Sequence, residues 1–123
     1  DMSHIVTIEA KILSRTAAVA ACCKLNLAPP VDGTFQMYGS SCTGLGINLT
    51  GWQYPVVADL TTGKINYDNY GGRWGDQDHL DRFLQRYQVE AARETAENLG
   101  YTAEETLLSD GSISLEVHVL EYA

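Results

Sequence analysis

Hydrophobic and polar residues alternate at the start of the chain. Over residues 4–12, the apolar side chains of Val6, Ile8, Ala10 and Ile12 occupy every second position. A period of two is typical of a β-strand that buries one face. The pattern therefore predicts a first strand over residues 4–12.

The next segment changes to helical spacing. Ser14 is a residue type that caps helices, and the apolar side chains after it recur at intervals of three and four. We predict a helix over residues 15–25 that ends before Pro29-Pro30, followed by a turn at Asp32-Gly33. The predicted buried side consists of Ala18, Val19, Cys22 and Leu25.

Short strands separated by glycine follow in the middle of the chain. Phe35 and Met37 begin one strand, and alternating apolar residues predict a second over residues 45–49. Residues 54–60 and 64–70 flank Thr61-Thr62-Gly63, which is a hairpin signal. A two-residue turn at Thr62-Gly63 pairs Leu60 with Ile65 and Ala58 with Tyr67, whereas a glycine bulge shifts that register by one. Both registers are consistent with the sequence.

A long helix and a second hairpin complete the pattern. Asp76 or Asp78 can cap a helix, and Gly100 stands where a C-terminal glycine is expected. After it, two alternating segments surround the turn sequence of residues 109–112. The buried face of the helix is predicted to carry Leu80, Phe83, Leu84, Tyr87 and Ala91.

These elements predict a single α+β domain over residues 2–122. The simplest arrangement is a mostly antiparallel sheet with two helices packed on one face. We expect a ferredoxin-like core that is elaborated by the middle β-hairpin. A chain of 123 residues with 45% hydrophobic residues is sufficient for one core without a metal or disulfide.

Charge and cysteine content restrict the function. The formal net charge is −8, from 16 acidic and 8 basic residues, which disfavours nucleic acids and anionic membranes as partners. Cys22 and Cys23 are adjacent and Cys42 makes the count odd, so no disulfide framework is expected. No secretory signal or membrane-spanning run is evident, and we predict a cytoplasmic or plastid stromal location.

No residue pattern predicts a catalytic centre, a metal site or a cofactor. Cys22 and Cys23 fall late in the first helix, where the helix dipole raises a thiol pKa. The acidic residues near His79 are better explained as a charged, capped first helical turn than as metal ligands. The glycine-containing segments lack the full phosphate-binding fingerprint.

A group of aromatic and basic residues predicts a protein-interaction surface. Trp, Tyr and Arg dominate interface hot spots, and these residues cluster around the middle hairpin and the long helix. The alternative is that the aromatic rings close the core while the arginines form a solvated, salt-bridged face. The candidate surface consists of Trp52, Tyr54, Tyr67, Asn69, Tyr70, Trp74, Arg82, Arg86 and Arg93.

Several segments resemble one known family. They are residues 2–4 (MSH), 51–57 (GWQYPVV), 67–75 (YDNYGGRWG), 80–87 (LDRFLQRY) and 110–113 (DGSI). The chain resembles the hypothetical chloroplast reading frame thirty-five family, a domain of unknown function from plastids, cyanobacteria, other bacteria and phages. The resemblance carries no catalytic motif. It implies work in a complex, because bacterial genes of this family are described beside ATPases of the AAA type.

Two functions follow from these observations. The first is a non-catalytic protein-binding or adaptor module, which the family resemblance implies works as a subunit with an AAA-type ATPase. The alternative is a small ligand-binding protein or enzyme with a pocket between the middle hairpin and the long helix. Its acid, base and hydroxyl groups are Asp59, Asp68, His79 and Tyr87. Self-association is compatible with either function.

Overall fold

The structure is a computed structural model that describes residues 6–8 and 11–119. Two helices, seven strands and one 3₁₀ turn occur in this part of the chain. They are β1 (Val6–Ile8), α1 (Arg15–Lys24), β2 (Val31–Gln36), β3 (Ser41–Ile47), β4 (Val56–Ala58), β5 (Ile65–Tyr67), the 3₁₀ turn (Tyr70–Gly72), α2 (Gln77–Asn98), β6 (Thr102–Leu107) and β7 (Ile113–His118). The first predicted strand is described over β1, while its residues 4, 5, 9 and 10 lie outside the described residues, as do residues 120–122 of the predicted domain.

The strands form two antiparallel sheets. The larger sheet has five strands in the order β1-β5-β4-β3-β2, and β6 pairs only with β7 within the described chain. With two helices added, the predicted α+β class is confirmed. The ferredoxin-like core is not confirmed, because β6 and β7 form a sheet of their own instead of returning to the larger one.

Both helices lie on one face of the larger sheet. The core joins alternate residues of β3, β4 and β5 to the buried sides of α1 and α2. Phe83 and Leu80 of α2 are fully buried, as predicted, but Val19 of α1 is 45% exposed. Val19 is wrong as a core residue because the buried side of α1 is formed by the small residues Ala17, Ala18 and Ala21, together with Cys22.

The helix ends follow their capping residues. Ser14 caps α1 by accepting from the backbone N–H of Ala17 at 3.0 Å, and Asp76 is the N-cap of α2. Gly100 ends α2 with a φ of +83°, as predicted. The first helix ends earlier than Pro29, since Asn26 takes a φ of +58° and the chain turns there.

Two turn predictions are wrong. Asp32 and Gly33 lie inside β2 and form no turn. In the middle hairpin, Ala58 pairs with Ile65, so neither predicted register occurs. Residues 59–64 form the connection: the Asp59 carboxylate accepts from the N–H of Thr61 at 2.9 Å, and the Asp59 carbonyl accepts from the N–H of Gly63 at 2.6 Å. This side-chain turn takes Leu60 out of the strand.

The terminal hairpin packs against the long helix. Leu107 pairs with Ile113, and the N–H of Leu108 donates to the carbonyl of Ser112 at 2.8 Å, which confirms the predicted hairpin. Both strands contact α2. Among the described helices, neither is long and apolar enough to cross a membrane.

Candidate interaction surface

Four aromatic rings meet around the indole of Trp74. The ring of Trp74 lies 4.7 Å from Tyr70, 5.3 Å from Tyr38 and 5.5 Å from Tyr54, measured between centroids. We call Tyr38, Tyr54, Tyr70 and Trp74 the Trp74 cluster. Tilted and edge-on ring pairs at these distances are favourable beyond the area they bury. Three different loops thus meet on a single indole.

The backbone of residues 69–74 positions two of these rings. Tyr70 has a φ of +48°, and Gly71 and Gly72 that follow it also have positive φ values. The carbonyl of Asn69 accepts from the N–H of Trp74 at 2.9 Å, which closes the loop. A positive φ is uncommon for tyrosine, and such conformations concentrate at functional sites. This loop conformation holds Tyr70 against Trp74.

The Trp74 cluster is only partly covered. Tyr38 is 45% exposed, and the other three rings are half-buried. The guanidinium carbon of Arg73, an exposed residue, lies 5.1 Å from the centroid of the Tyr70 ring. This is the distance of a cation–π contact. The cluster thus presents aromatic surface and already holds one guanidinium.

Acidic residues border this surface. The carbonyl of Trp74 accepts from the N–H of Gln53 at 2.8 Å, and the indole N–H of Trp52 donates to the carbonyl of Asp76 at 3.0 Å. These bonds join the aromatic loops to the start of α2. The exposed acidic residues of its cap and first turns are Asp76, Asp78 and Asp81.

Three members of the predicted surface close the core instead. Tyr67 and Asn69 are buried, and the half-buried Trp52 lies edge-on to Tyr67 at 5.6 Å. Burial, followed by the charge of Asp81, raises the pKa of Tyr67, although a hydrogen bond to Gln77 opposes the change. These three side chains are therefore not part of the Trp74 cluster.

Two predicted arginines lie in an ion cluster between α1, α2 and β6. Glu90, with a side chain only 5% exposed, is 3.0 Å from Arg86, 3.1 Å from Lys24 and 3.8 Å from Arg93. Glu105 of β6 bonds both Arg86 and Arg93. We call these five residues the Glu90 cluster. The expected salt bridges are present, but Arg86 and Arg93 are mostly buried and are not part of the aromatic surface.

Within the Glu90 cluster, the contacts of Arg86 and Glu105 favour the charged form of each side chain. Burial lowers the pKa of Arg86, but its hydrogen bonds to Glu90 and Glu105 more than offset this and raise it. Burial likewise acts to raise the pKa of Glu105, and the hydrogen bond and charge of Arg86 hold it below its ordinary value. Arg86 and Glu105 therefore stay ionised at neutral pH, and the ion pairs of the cluster join α1, α2 and β6.

Arg82 has different surroundings from the other two arginines. It is exposed and lines a cavity of about 130 Å³ together with His79. Leu25, Leu27, Leu49 and Thr50 form the rest of the wall. Arg82 is thus separate from both the Trp74 cluster and the Glu90 cluster.

The structure distributes the four residues of the alternative pocket. Asp59 bonds within the hairpin turn, and the hydroxyl of Tyr87 accepts from the N–H groups of Leu13 and Ser14, each at 3.0 Å. Asp68 is 1% exposed: one carboxylate oxygen accepts from Tyr70 N–H at 3.2 Å, and the other has no hydrogen-bond partner among the described residues. Each of these three has its own partners, and His79 alone of the four lines the 130 Å³ cavity.

The cysteines and metal-binding types show no assembled site. Burial raises the pKa of Cys22 to about 11 and also raises that of Cys42, while Cys23 is exposed. All three thiols are free. No group of three or more His, Cys, Asp or Glu side chains suited to a metal ion occurs among the residues that the structure describes.

Sequence reasoning missed Tyr38 and Arg73. Tyr38 precedes Gly39-Ser40, which is a turn signal, but its approach to Trp74 depends on the pairing of β2 with β3. Arg73 lies inside the segment 67–75, yet its contact with Tyr70 requires the positive φ values of the loop. The only sequence signal for either residue is the turn sequence Gly39-Ser40 beside Tyr38.

Known proteins supply no counterpart for this arrangement. Comparisons with protein-family models, with curated proteins and with solved structures found no match.

Proposed function

We propose that this chain is a non-catalytic protein-binding module that recognises a basic, arginine-bearing segment of its partner through the Trp74 cluster. The contact that carries the proposal is the guanidinium of Arg73 above the ring of Tyr70, at 5.1 Å. Guanidinium groups stack on aromatic faces, and aromatic residues dominate interface hot spots. A partner arginine would use the exposed rings in the same way.

Charge supports the choice of a basic partner. The net charge is −8, and three exposed carboxylates lie at the start of α2, beside the aromatic loops. Complementary charge accelerates encounter and rejects acidic partners. A cation that leaves water to bind here gains a contact with an aromatic ring and an attraction to the nearby carboxylates.

The family and its setting belong to the same proposal. We propose membership of the hypothetical chloroplast reading frame thirty-five family, and with it a role as a subunit beside an AAA-type ATPase in the cytoplasm or plastid stroma. The support is the resemblance of residues 51–57 and 67–75, which contribute Tyr54, Tyr70 and Trp74. Two of the five family-like segments thus contribute three of the four rings of the proposed surface.

An NMR titration tests the recognition. The probes are an arginine-rich Gly/Ser peptide and its glutamate counterpart of equal length. The chain has two tryptophans, so their indole N–H signals can be assigned by substitution. We expect the arginine peptide to shift the Trp74 signal, with the glutamate peptide causing no change. Shifts confined to residues far from the Trp74 cluster would refute the surface.

A further inference from the structure

The 130 Å³ cavity at the start of α2 combines two unpartnered basic side chains with an apolar wall. His79 and Arg82 line one side, and within the described residues neither side chain has a hydrogen-bond or ion-pair partner. Asp78 lies one helical turn before Arg82 but forms no ion pair with it. Arg82 therefore has no partner among the described residues, and its guanidinium lines a cavity in an acidic chain.

The apolar part of the cavity lining favours an organic anion over an inorganic one. Leu25 and Leu27 are half-buried against the core, and Leu49 is buried. A hydrated inorganic ion would gain nothing from these side chains, whereas an aliphatic carboxylate can contact both walls. The hydroxyl of Thr50, also in the wall, is a further hydrogen-bonding group.

The cavity adjoins a second concavity along α1, and we call the two together the groove. Leu27 is shared with a second concavity of about 470 Å³, whose other lining residues are Val19, Cys23, Asn26 and Pro29. The end of α1 fixes this geometry, because the N–H of Leu27 donates to the carbonyl of Cys22 at 2.8 Å. The exposed Val19, which is not part of the core, lines this groove.

We infer that this groove binds the C-terminal end of an apolar peptide. The terminal carboxylate meets Arg82 and His79, its aliphatic side chain fills the 130 Å³ cavity, and the preceding residues lie against Val19 and Leu27. The smaller volume suits one side chain and is below the size of a typical ligand pocket, while the second concavity accommodates the chain that leads to it. This inference is independent of the Trp74 cluster.

The test uses acetyl-Ala-Leu-Val-Leu with a free carboxylate, its C-terminal amide, and acetyl-leucine, with binding followed by NMR and calorimetry. We expect the acid to bind at least about tenfold more tightly than the amide, since a charge-assisted bond is lost. Arg82→Gln should remove this preference, while Arg73→Gln, in the Trp74 cluster, should not. Equal binding of acid and amide would overturn the inference.

The second concavity is tested separately from the cavity. Val19→Asp should weaken the tetrapeptide several-fold and leave acetyl-leucine unchanged, because only the longer ligand reaches α1. Val19 is exposed, so this variant is expected to fold. If acetyl-leucine binds as tightly as the tetrapeptide, the site takes a small free acid and the peptide assignment is wrong. Failure of the arginine peptide at Trp74 would leave these results untouched.

Discussion

Arg86 of α2 donates to both carboxylate oxygens of Glu105 in β6, at 3.1 Å each. A two-stranded hairpin is marginally stable by itself in water, and β6 and β7 form such a hairpin. The Arg86–Glu105 contact therefore ties the hairpin to the long helix. Arg93 adds a bond from α2 to the carbonyl of Ala103 at 3.1 Å.

Replacing Glu90 tests the contribution of the Glu90 cluster. Glu90→Gln leaves Arg86, Arg93 and Lys24 with one carboxylate fewer in a largely buried place. Removing one partner from a buried ion pair costs about 3 kcal/mol in unfolding free energy. Urea denaturation measures this loss. The exposed Glu116→Gln is the control, with an expected change below about 0.5 kcal/mol, and equal effects of the two variants would contradict the account.

Acid should weaken the attachment of the hairpin. The pKa of Glu105 is below its ordinary value of 4.5 because the hydrogen bond and charge of Arg86 outweigh burial. A carboxyl with a lowered folded-state pKa stabilises above the unfolded pKa and loses that contribution as pH falls through the folded one. Stability should thus decline below about pH 4.5. The decline should be smaller in Glu105→Gln; an identical pH profile would show that Glu105 contributes nothing.

The Tyr87 hydroxyl holds the start of α1. Since it accepts from the N–H groups of Leu13 and Ser14, Tyr87→Phe leaves both donors without this acceptor. An unsatisfied buried donor costs about 1–3 kcal/mol, and because these two bonds are only part-buried we expect a loss near the lower end of this range in thermal or urea unfolding. Tyr101→Phe, a half-buried tyrosine outside the core, is the matched control. A loss no larger than that of the control would exclude this role.

Two facing glycines in the β2–β3 pair should respond differently to alanine. A Cβ on Gly44 would lie 2.3 Å from the carbonyl oxygen of Ala58, and its φ of +155° is unfavourable for other residues. A Cβ on Gly33, its partner in register, would meet only Phe35 at an ordinary 3.5 Å. We expect Gly44→Ala to unfold at markedly lower urea concentration than Gly33→Ala. The reverse order would disprove the strand register.

The three thiols should differ in alkylation rate. At pH 8 in the folded protein, iodoacetamide should modify the exposed Cys23 first and the half-buried Cys42 more slowly. Cys22, whose pKa burial raises to about 11, should react only after unfolding. Peptide mass spectrometry over time gives the order. Rapid labelling of Cys22 in the native state would show that α1 does not pack as described.

Local signals in the sequence predicted the parts of the fold that local chemistry determines. Ser14, Gly100 and the spacing of Leu80 and Phe83 specify helices by capping and periodicity, and these predictions are confirmed. The middle hairpin register was wrong because the Asp59 side chain forms a turn that period-two reasoning does not detect. The ferredoxin-like core went unconfirmed since pairing of distant strands leaves no local signature.

Residue type selected the members of the candidate surface, but it could not show which of their side chains contact one another. The sequence grouped the aromatic residues with the arginines, but helical spacing could not show that Arg86 meets Glu105 from another element. The approach of Tyr38 to Trp74 depends on the pairing of β2 with β3. Tertiary contacts thus divided one predicted surface into an aromatic cluster, an ion cluster and a cavity wall.

The most direct test of the account compares binding of the arginine-rich peptide to the native chain, Trp74→Ala and the control Tyr101→Ala by calorimetry. Trp74 contacts the three other rings of the Trp74 cluster, so its removal should weaken binding at least about tenfold. Tyr101→Ala should bind like the native chain. Binding by Trp74→Ala with native affinity, in a variant shown to be folded, would contradict the central claim that this cluster recognises the partner.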